Sequence, residues 1–281
     1  MPFSLRKWYL DCVAEDGEVL VAYHAELRWR RLSLRYASVL QLDGARSTLR
    51  DCPAPLLAGE RISWEAPALH ISGTWDALAP AADVELIPGV RWRCLQPRSR
   101  VELRVAGRTL HGLGYAEELE LTIPPWRLPI DELRWGRFAG ESHSAVWIEW
   151  RGPHPLRLTL IDGVRAEAIR IAEDGVRAGG TELRLTEPRV LRSGRIGETA
   201  LSIIPDLQKL FPGRIVGLGK PSGARAGRWK VRARKPSRAG PSTKSCDGQS
   251  DRGPSAGGPD RLWRAFRAGS ARAARPLGTG L

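Results

Sequence analysis

Asparagine is absent from the 281 residues, methionine occurs once, and only four cysteines are present. Cys12, Cys52, Cys94 and Cys246 lie at least 40 residues apart, which matches neither a metal-ligand spacing nor a disulfide framework, so they read as reduced structural thiols. No run of about 18 apolar residues occurs, which excludes a transmembrane helix. From Met1 the chain reaches Asp11 before any stretch that could serve as a signal peptide, and the expected location is the cytoplasm. His-Glu-x-x-His and Gly-x-Ser-x-Gly are both missing, so neither a zincin nor a serine hydrolase is indicated. Gly213 to Lys220 is one residue too long for a P-loop, and Pro221 stands where Ser or Thr would bind magnesium. Gly112-Leu113-Gly114 has Glu117 in place of the third glycine of a dinucleotide fingerprint. The five histidines, His24, His70, His111, His143 and His154, show no pair at ligand spacing. No metal and no cofactor are expected.

The formal charge of +13 hides a partition. Residues 220–281 hold 15 basic and 3 acidic residues, so residues 1–219 are nearly neutral. Gly, Pro and Ser make up 23 of those last 62 residues, and Leu, Ile, Val and Phe only 5. Such a composition cannot offset its ordering entropy, and it predicts a disordered basic tail. The tail could hold polyanions nonspecifically. It lacks the aromatic interleaving of a stacking platform, so no specific nucleic acid is expected. A shifted reading frame is an equally simple origin: codons for Gly219 to Gly223, read two bases later, can encode the strand-like Glu-Ala-Lys-Trp.

Helical periodicity is also scarce. From Val19 to Trp29 the odd positions read Val, Val, Tyr, Ala, Leu and Trp, a period of two that marks a strand with one face toward a core. The same alternation recurs at Leu32-Leu34-Tyr36, Ile62-Trp64, Leu69-Ile71, Val101-Leu103-Val105, Leu119-Leu121-Ile123, Leu156-Leu158-Leu160 and Leu183-Leu185. Asp-Gly pairs at Asp16-Gly17, Asp43-Gly44, Asp162-Gly163 and Asp174-Gly175 supply hairpin turns. The pattern is all-β, an antiparallel meander closing into a sandwich or barrel. The one helical candidate is Pro205 to Phe211, a lid or plug. Three prolines between Pro124 and Pro129 interrupt the sheet pattern and divide the chain into two β halves, 1–123 and 124–219, ahead of the tail 220–281.

Trp occurs 11 times, nine of them before residue 220, so large rigid aromatics line whatever the chain encloses. Within the strand that follows Gly112, alternation puts Tyr115 and Glu117 on the face of Leu119, Leu121 and Ile123, and turns Glu118 toward solvent. Burial on an apolar face disfavours the charged carboxylate and suits Glu117 to general acid catalysis, with Tyr115 one pleat away. The alternative is a buried ion pair with Arg134 or Arg137. Trp92, Trp126, Trp135, Trp147 and Arg137 are the candidate ligand-binding residues.

Lys7-Trp8-Tyr9-Leu10-Asp11, the Gly112-x-Gly114-Tyr115-x-Glu117 strand and Trp135-Gly136-Arg137 resemble the hydroxyneurosporene synthase family, the carotenoid 1,2-hydratases and their lipocalin-like relatives. The resemblance covers most of residues 1–219 in order. It implies two lipocalin-like β-barrels, an apolar isoprenoid-like ligand and a Tyr-x-acid pair that protonates a carbon-carbon double bond, here Tyr115 and Glu117. The chain departs from the family in having Glu for Asp, in lacking the His and Asn that follow the acid, and in showing Val90-Arg91-Trp92 where a His-x-Trp pair is expected. A noncatalytic binder of the same fold, or an enzyme with another substrate, fits these departures as well.

Overall fold

The computed structural model describes residues 2–41, 46–172, 175–194, 222–233 and 263–272. Their alternating sequence forms two antiparallel sheets. The first contains β1 (Ser4–Ala14), β2 (Val19–Trp29), β3 (Leu32–Gln41), β4 (Arg46–Arg50), β5 (Leu56–Ala58), β6 (Arg61–Ala66), β7 (Ile71–Ala77), β8 (Ala82–Ile87), β9 (Val90–Val105) and β10 (Arg108–Leu121). Its spatial order is β4-β3-β2-β1-β10-β9-β7-β6-β5, and β8 adds to β9. The second contains β11 (Glu132–Ala139), β12 (Ser144–Arg151), β13 (Leu156–Ile161), β14 (Val164–Arg165), β15 (Ala168–Ile171), β16 (Gly175–Ala178), β17 (Thr181–Gly194), β18 (Ser222–Ala233) and β19 (Trp263–Arg272). Here the order is β14-β13-β12-β11-β19-β18-β17-β16-β15. The two helical pieces among the described residues are single 3-10 turns, Pro67–Leu69 and Pro125–Arg127, the latter between the last strand of one sheet and the first of the next.

Period-two alternation gives each strand two distinct faces, and in the middle of both sheets tertiary packing covers both of them, whereas the short strands β5 and β14 stay exposed. Curling of the first sheet brings Trp8, Leu10, Leu20 and Ala22 against Ile62, Trp64, Trp75 and Leu103 in one core. The opposite face carries Tyr9, Val21, Trp92, Cys94 and Tyr115, which pack against Trp135, Val146, Ile148 and Leu158 of the second sheet. The far side of the second sheet has its own core around Phe138, Trp147, Val176 and Leu183. An isolated antiparallel sheet often leaves one face to water. Here β1 and β12 are buried on both faces along most of their length. The cysteines Cys12, Cys52 and Cys94 are buried free thiols, and burial pushes that of Cys12 up to about 12.

Three expectations need correction or restriction. Leu69 closes a 3-10 turn instead of opening a strand, because Pro67 starts the turn and His70 follows in a left-handed conformation. Two segments of residues 220–281 are strands where composition predicts disorder: β19 pairs with both β11 and β18, and β18 pairs with β17. Composition weighs apolar side chains, whereas ladder pairing draws on backbone donors and acceptors that every residue but proline carries. The rest of that stretch, the Pro205 to Phe211 segment and the turn at Asp43-Gly44 lie outside the described residues.

Glycine permits close approach in each sheet. A Cβ at Gly114 would run into the backbone carbonyl of Asp11 on β1, and one at Gly136 would run into the indole of Trp147, its partner across β12. Gly136→Ala should therefore lower stability by about 1–3 kcal/mol through overpacking. A urea titration should show an earlier midpoint with an unchanged m-value, and an unchanged midpoint would contradict the packing.

Candidate functional site

Four strands build the cluster around Glu117. In the pairing of β1 with β10, Tyr9 stands opposite Glu117 and Asp11 opposite Tyr115. On the other side of β10 the register against β9 slips at Gly114/Ala116 and again at Ala116/Glu117. A bulge of this kind re-aims side chains locally. It leaves Glu117 opposite Cys94, and Leu119 opposite Trp92. From the second sheet, β11 lays Trp135 over the same face.

All hydrogen bonds to the Glu117 carboxyl converge on one oxygen. Trp92 Nε1 donates to Oε2 at 2.6 Å, the Tyr115 hydroxyl at 2.7 Å and Trp135 Nε1 at 3.1 Å. Oε1 takes no hydrogen bond among the described residues, and the side chain is half-buried. Burial raises the Glu117 pKa above the ordinary 4.5, opposed by the Trp92 and Tyr115 donors, the charge of Lys7 and the Trp135 donor. Burial wins that contest, so the group holds its proton to higher pH than an exposed glutamate. Tyr115 is raised well above its ordinary value, chiefly by burial, and remains a donor. Burial likewise holds the neighbouring Cys94 thiol protonated, with the Glu117 charge adding to it. Around the acid, the Tyr9 ring meets Tyr23 and Trp135 edge-on at 5.1 Å and Tyr115 at 5.9 Å, while Tyr115 and Trp135 lie 5.8 Å apart. Edge-to-face contacts at these distances are favourable aromatic geometry.

The arginines expected beside Glu117 are engaged elsewhere. Arg137 holds Asp11 through Nε at 2.9 Å and Nη2 at 2.5 Å, and both side chains are fully buried. Arg134 bonds Glu132 at 2.8 Å. The expected Glu117 ion pair is therefore replaced by indole and phenol donors. Asp11 stands in the opening Lys7 to Asp11 segment but received no role from the sequence. The available signal was its odd phase, shared with Tyr9 on an apolar face. Its partner lies 126 residues away on another sheet, a separation that local patterning does not read.

Trp92 and Trp135 join Glu117, whereas Trp147 lies on the opposite face of the second sheet, packed against Gly136. Trp126 belongs to the Pro125–Arg127 turn. Glu118, expected in solvent, is fully buried and bonded to Arg6 at 2.5 Å and to Arg93. Its face is covered because β1 and β9 each bring an arginine across it. His24 is buried with Nε2 on the Cys52 carbonyl at 2.9 Å, and burial lowers its pKa, a structural setting. Two clefts open elsewhere, one of about 760 Å³ lined by Arg28, Arg30, Arg31, Leu32 and Ser33, and one of about 350 Å³ beside Arg157, Thr159 and Arg165.

No family model matches the chain, and no curated protein is similar to it at a significant level. Among solved structures the fold is similar to CghA with Sch210972, at 11% identity and a TM-score of 0.55 over 97% of this chain and 89% of that one. CghA in a second structure gives 11% identity and 0.52 over 99% and 90%. An AttH candidate from Nitrosomonas europaea gives 10% identity and 0.52 over 96% and 92%. These likenesses carry the fold, and they match the lipocalin-like all-β architecture expected from the sequence.

The raised pKa of Glu117 has a definite sign in stability. Below 4.5 the folded and unfolded chains both hold the proton. As pH rises from 4.5 through the raised folded value, the unfolded chain releases it first and the folded state loses stability. In Glu117→Gln this component is absent, so the wild-type Tm minus the variant Tm should fall as pH rises through that window. A pH-independent difference would remove the raised pKa. At Glu118, replacement by Ala should cost about 1–3 kcal/mol because it breaks a buried charged network, and Glu120→Ala, at a half-exposed position, should cost less in the same melts.

Proposed function

We propose that this chain binds an apolar, isoprenoid-like small molecule on the aromatic face between its sheets, and that Glu117 is the acid that protonates a carbon-carbon double bond of it. The supporting observation is the asymmetry of the Glu117 carboxyl: three donors hold Oε2 while Oε1 has none. A proton on Oε1 is then directed away from the anchoring groups. The carboxylate left after transfer is stabilised by the same three donors, which lowers the cost of giving the proton up.

In the step itself the Oε1-H bond breaks and the proton forms a C-H bond at one alkene carbon, leaving a carbocation at the other. The faces of Tyr9, Tyr115 and Trp135 supply the π density that stabilises such a cation. Water attack followed by proton loss completes a hydration; attack by a second double bond and proton loss completes a cyclisation, and in both the proton returns to Glu117. Trp92 and Trp135 position the acid, and Arg137 positions β11 through Asp11. This reading extends the resemblance to the carotenoid hydratases, with the indole donors standing in a chain that lacks the family's histidine and asparagine. CghA is known with Sch210972 bound, which supports ligand binding by the architecture.

A carrier without catalysis is the second reading, favoured by the mutual edge contacts that fill the space around Glu117. Titration with a long polyene, read by tryptophan emission, addresses both. Because Trp92 and Trp135 bond the acid directly, binding should change the emission saturably. Glu117→Gln should keep the affinity nearly constant, since an amide oxygen can accept the same three donors, while turnover drops roughly 10²-fold or more. Binding without any product from the wild type would establish the carrier. No saturable change with any apolar ligand would withdraw the pocket.

A further inference from the structure

Among the described two-residue hairpin turns, the β2-β3 turn is built without glycine. A two-residue turn between antiparallel strands requires positive φ, which glycine, asparagine and aspartate adopt most readily. Ala106-Gly107 and Asp162-Gly163 follow it, with φ of 46° and 82° and of 52° and 78°. Between Trp29 and Leu32, which pair directly, the turn is Arg30-Arg31, and Arg30 sits at φ 54° with no glycine beside it. A long side chain at positive φ costs of order 1 kcal/mol, and residues held this way cluster at functional sites.

Arg28, Arg30 and Arg31 are all exposed, and none has an acidic partner among the described residues. The exposed arginines Arg61 and Arg91 differ, being bound bidentately by Asp76 and Asp83. Together with Leu32 and Ser33 the three arginines line the cleft of about 760 Å³. The Arg30 guanidinium lies 5.1 Å from the ring centroid of Trp29, which orients it, and Trp29 is half-buried against the core between the sheets. Three forked cations with an adjoining hydroxyl and apolar wall are a recognition set for phosphate oxygens, which guanidinium groups bind bidentately. The volume is within the range of sites for whole small molecules, roughly 300–1,000 Å³, and exceeds what a lone phosphate fills.

We propose that the β2-β3 tip is a phosphate-binding site, with Arg28, Arg30 and Arg31 on the phosphate oxygens and Leu32 against the apolar part of the ligand. The site is separate from Glu117, and its test leaves that residue untouched. It takes either a soluble phosphorylated molecule or a phospholipid headgroup, which present the same oxyanion.

The full chain is titrated calorimetrically with inorganic pyrophosphate, and in parallel sedimented with vesicles of phosphatidylcholine alone or mixed with phosphatidic acid. The triple variant Arg28→Gln/Arg30→Gln/Arg31→Gln should lose about tenfold or more in affinity, the equivalent of one charge-assisted hydrogen bond. Arg61→Gln should lose nothing. Arg30→Gly relieves the turn, so it should melt at the same temperature or higher while binding more weakly, which separates loss of the site from loss of the fold. Loss in the pyrophosphate arm assigns a soluble ligand, and loss confined to the phosphatidic acid vesicles assigns a headgroup. Equal binding by wild type and triple variant would overturn the proposal and assign the anion to other basic residues, residues 220–281 included. Absence of saturable binding in both arms would overturn it as well.

Discussion

The buried pair of Asp11 and Arg137 is the constraint on which the arrangement of the two sheets rests. It joins the central strand β1 of the first sheet to β11 of the second, with both side chains out of water. Desolvating two charges costs several kcal/mol, and their attraction offsets this only in good geometry, here a two-point contact from one guanidinium to one carboxylate. Such a pair adds little net stability. Its effect is on specificity, because a shift of β11 along or across β1 would leave a charge buried alone. Burial raises the Asp11 pKa while Arg137 opposes the rise, and the proximity of Tyr9 joins the phenol to the same group.

The geometry around Glu117 follows from that placement. Trp135 lies two residues before Arg137 on the same strand and therefore on the same face, so the pairing that seats Arg137 on Asp11 also brings the Trp135 indole to Glu117. The remaining donors come from β9 and β10 of the first sheet. A carboxyl so held has neutral donors in place of a cation. They orient it and only partly oppose the burial that raises its pKa, whereas an arginine at the same distance would have driven it toward the charged form. An indole partner thus leaves the carboxyl easier to protonate than a guanidinium partner would.

Much of the local structure was legible. The strand read from Val19 to Trp29 has those bounds in the fold, and the phase that puts Tyr115 and Glu117 on one apolar face is the phase observed. Both follow from side chains alternating across a pleat, a property of the chain itself. Glu118 shows the limit of the same logic. Alternation correctly turned it away from Glu117, but the far face of β10 is covered too, and Arg6 and Arg93 arrive from strands distant in sequence. The tryptophans divide for a related reason. Trp135 and Trp147 sit on opposite faces of the second sheet because Trp147 pairs with Gly136, one residue out of phase.

The period of two, the bounds of the Val19–Trp29 strand and the face on which the acid lies were determined by the sequence alone, because each depends on neighbours within a few residues. Which groups meet that acid was decided only by tertiary structure. The choice between Arg137 and the indoles of Trp92 and Trp135 depends on the register and layering of strands far apart in the chain, and on the competing demand of Asp11 for the same guanidinium. A buried cation goes to the carboxylate that can take two nitrogens of its fork, here Nε and Nη2, and that competition exists only once the two sheets are packed together.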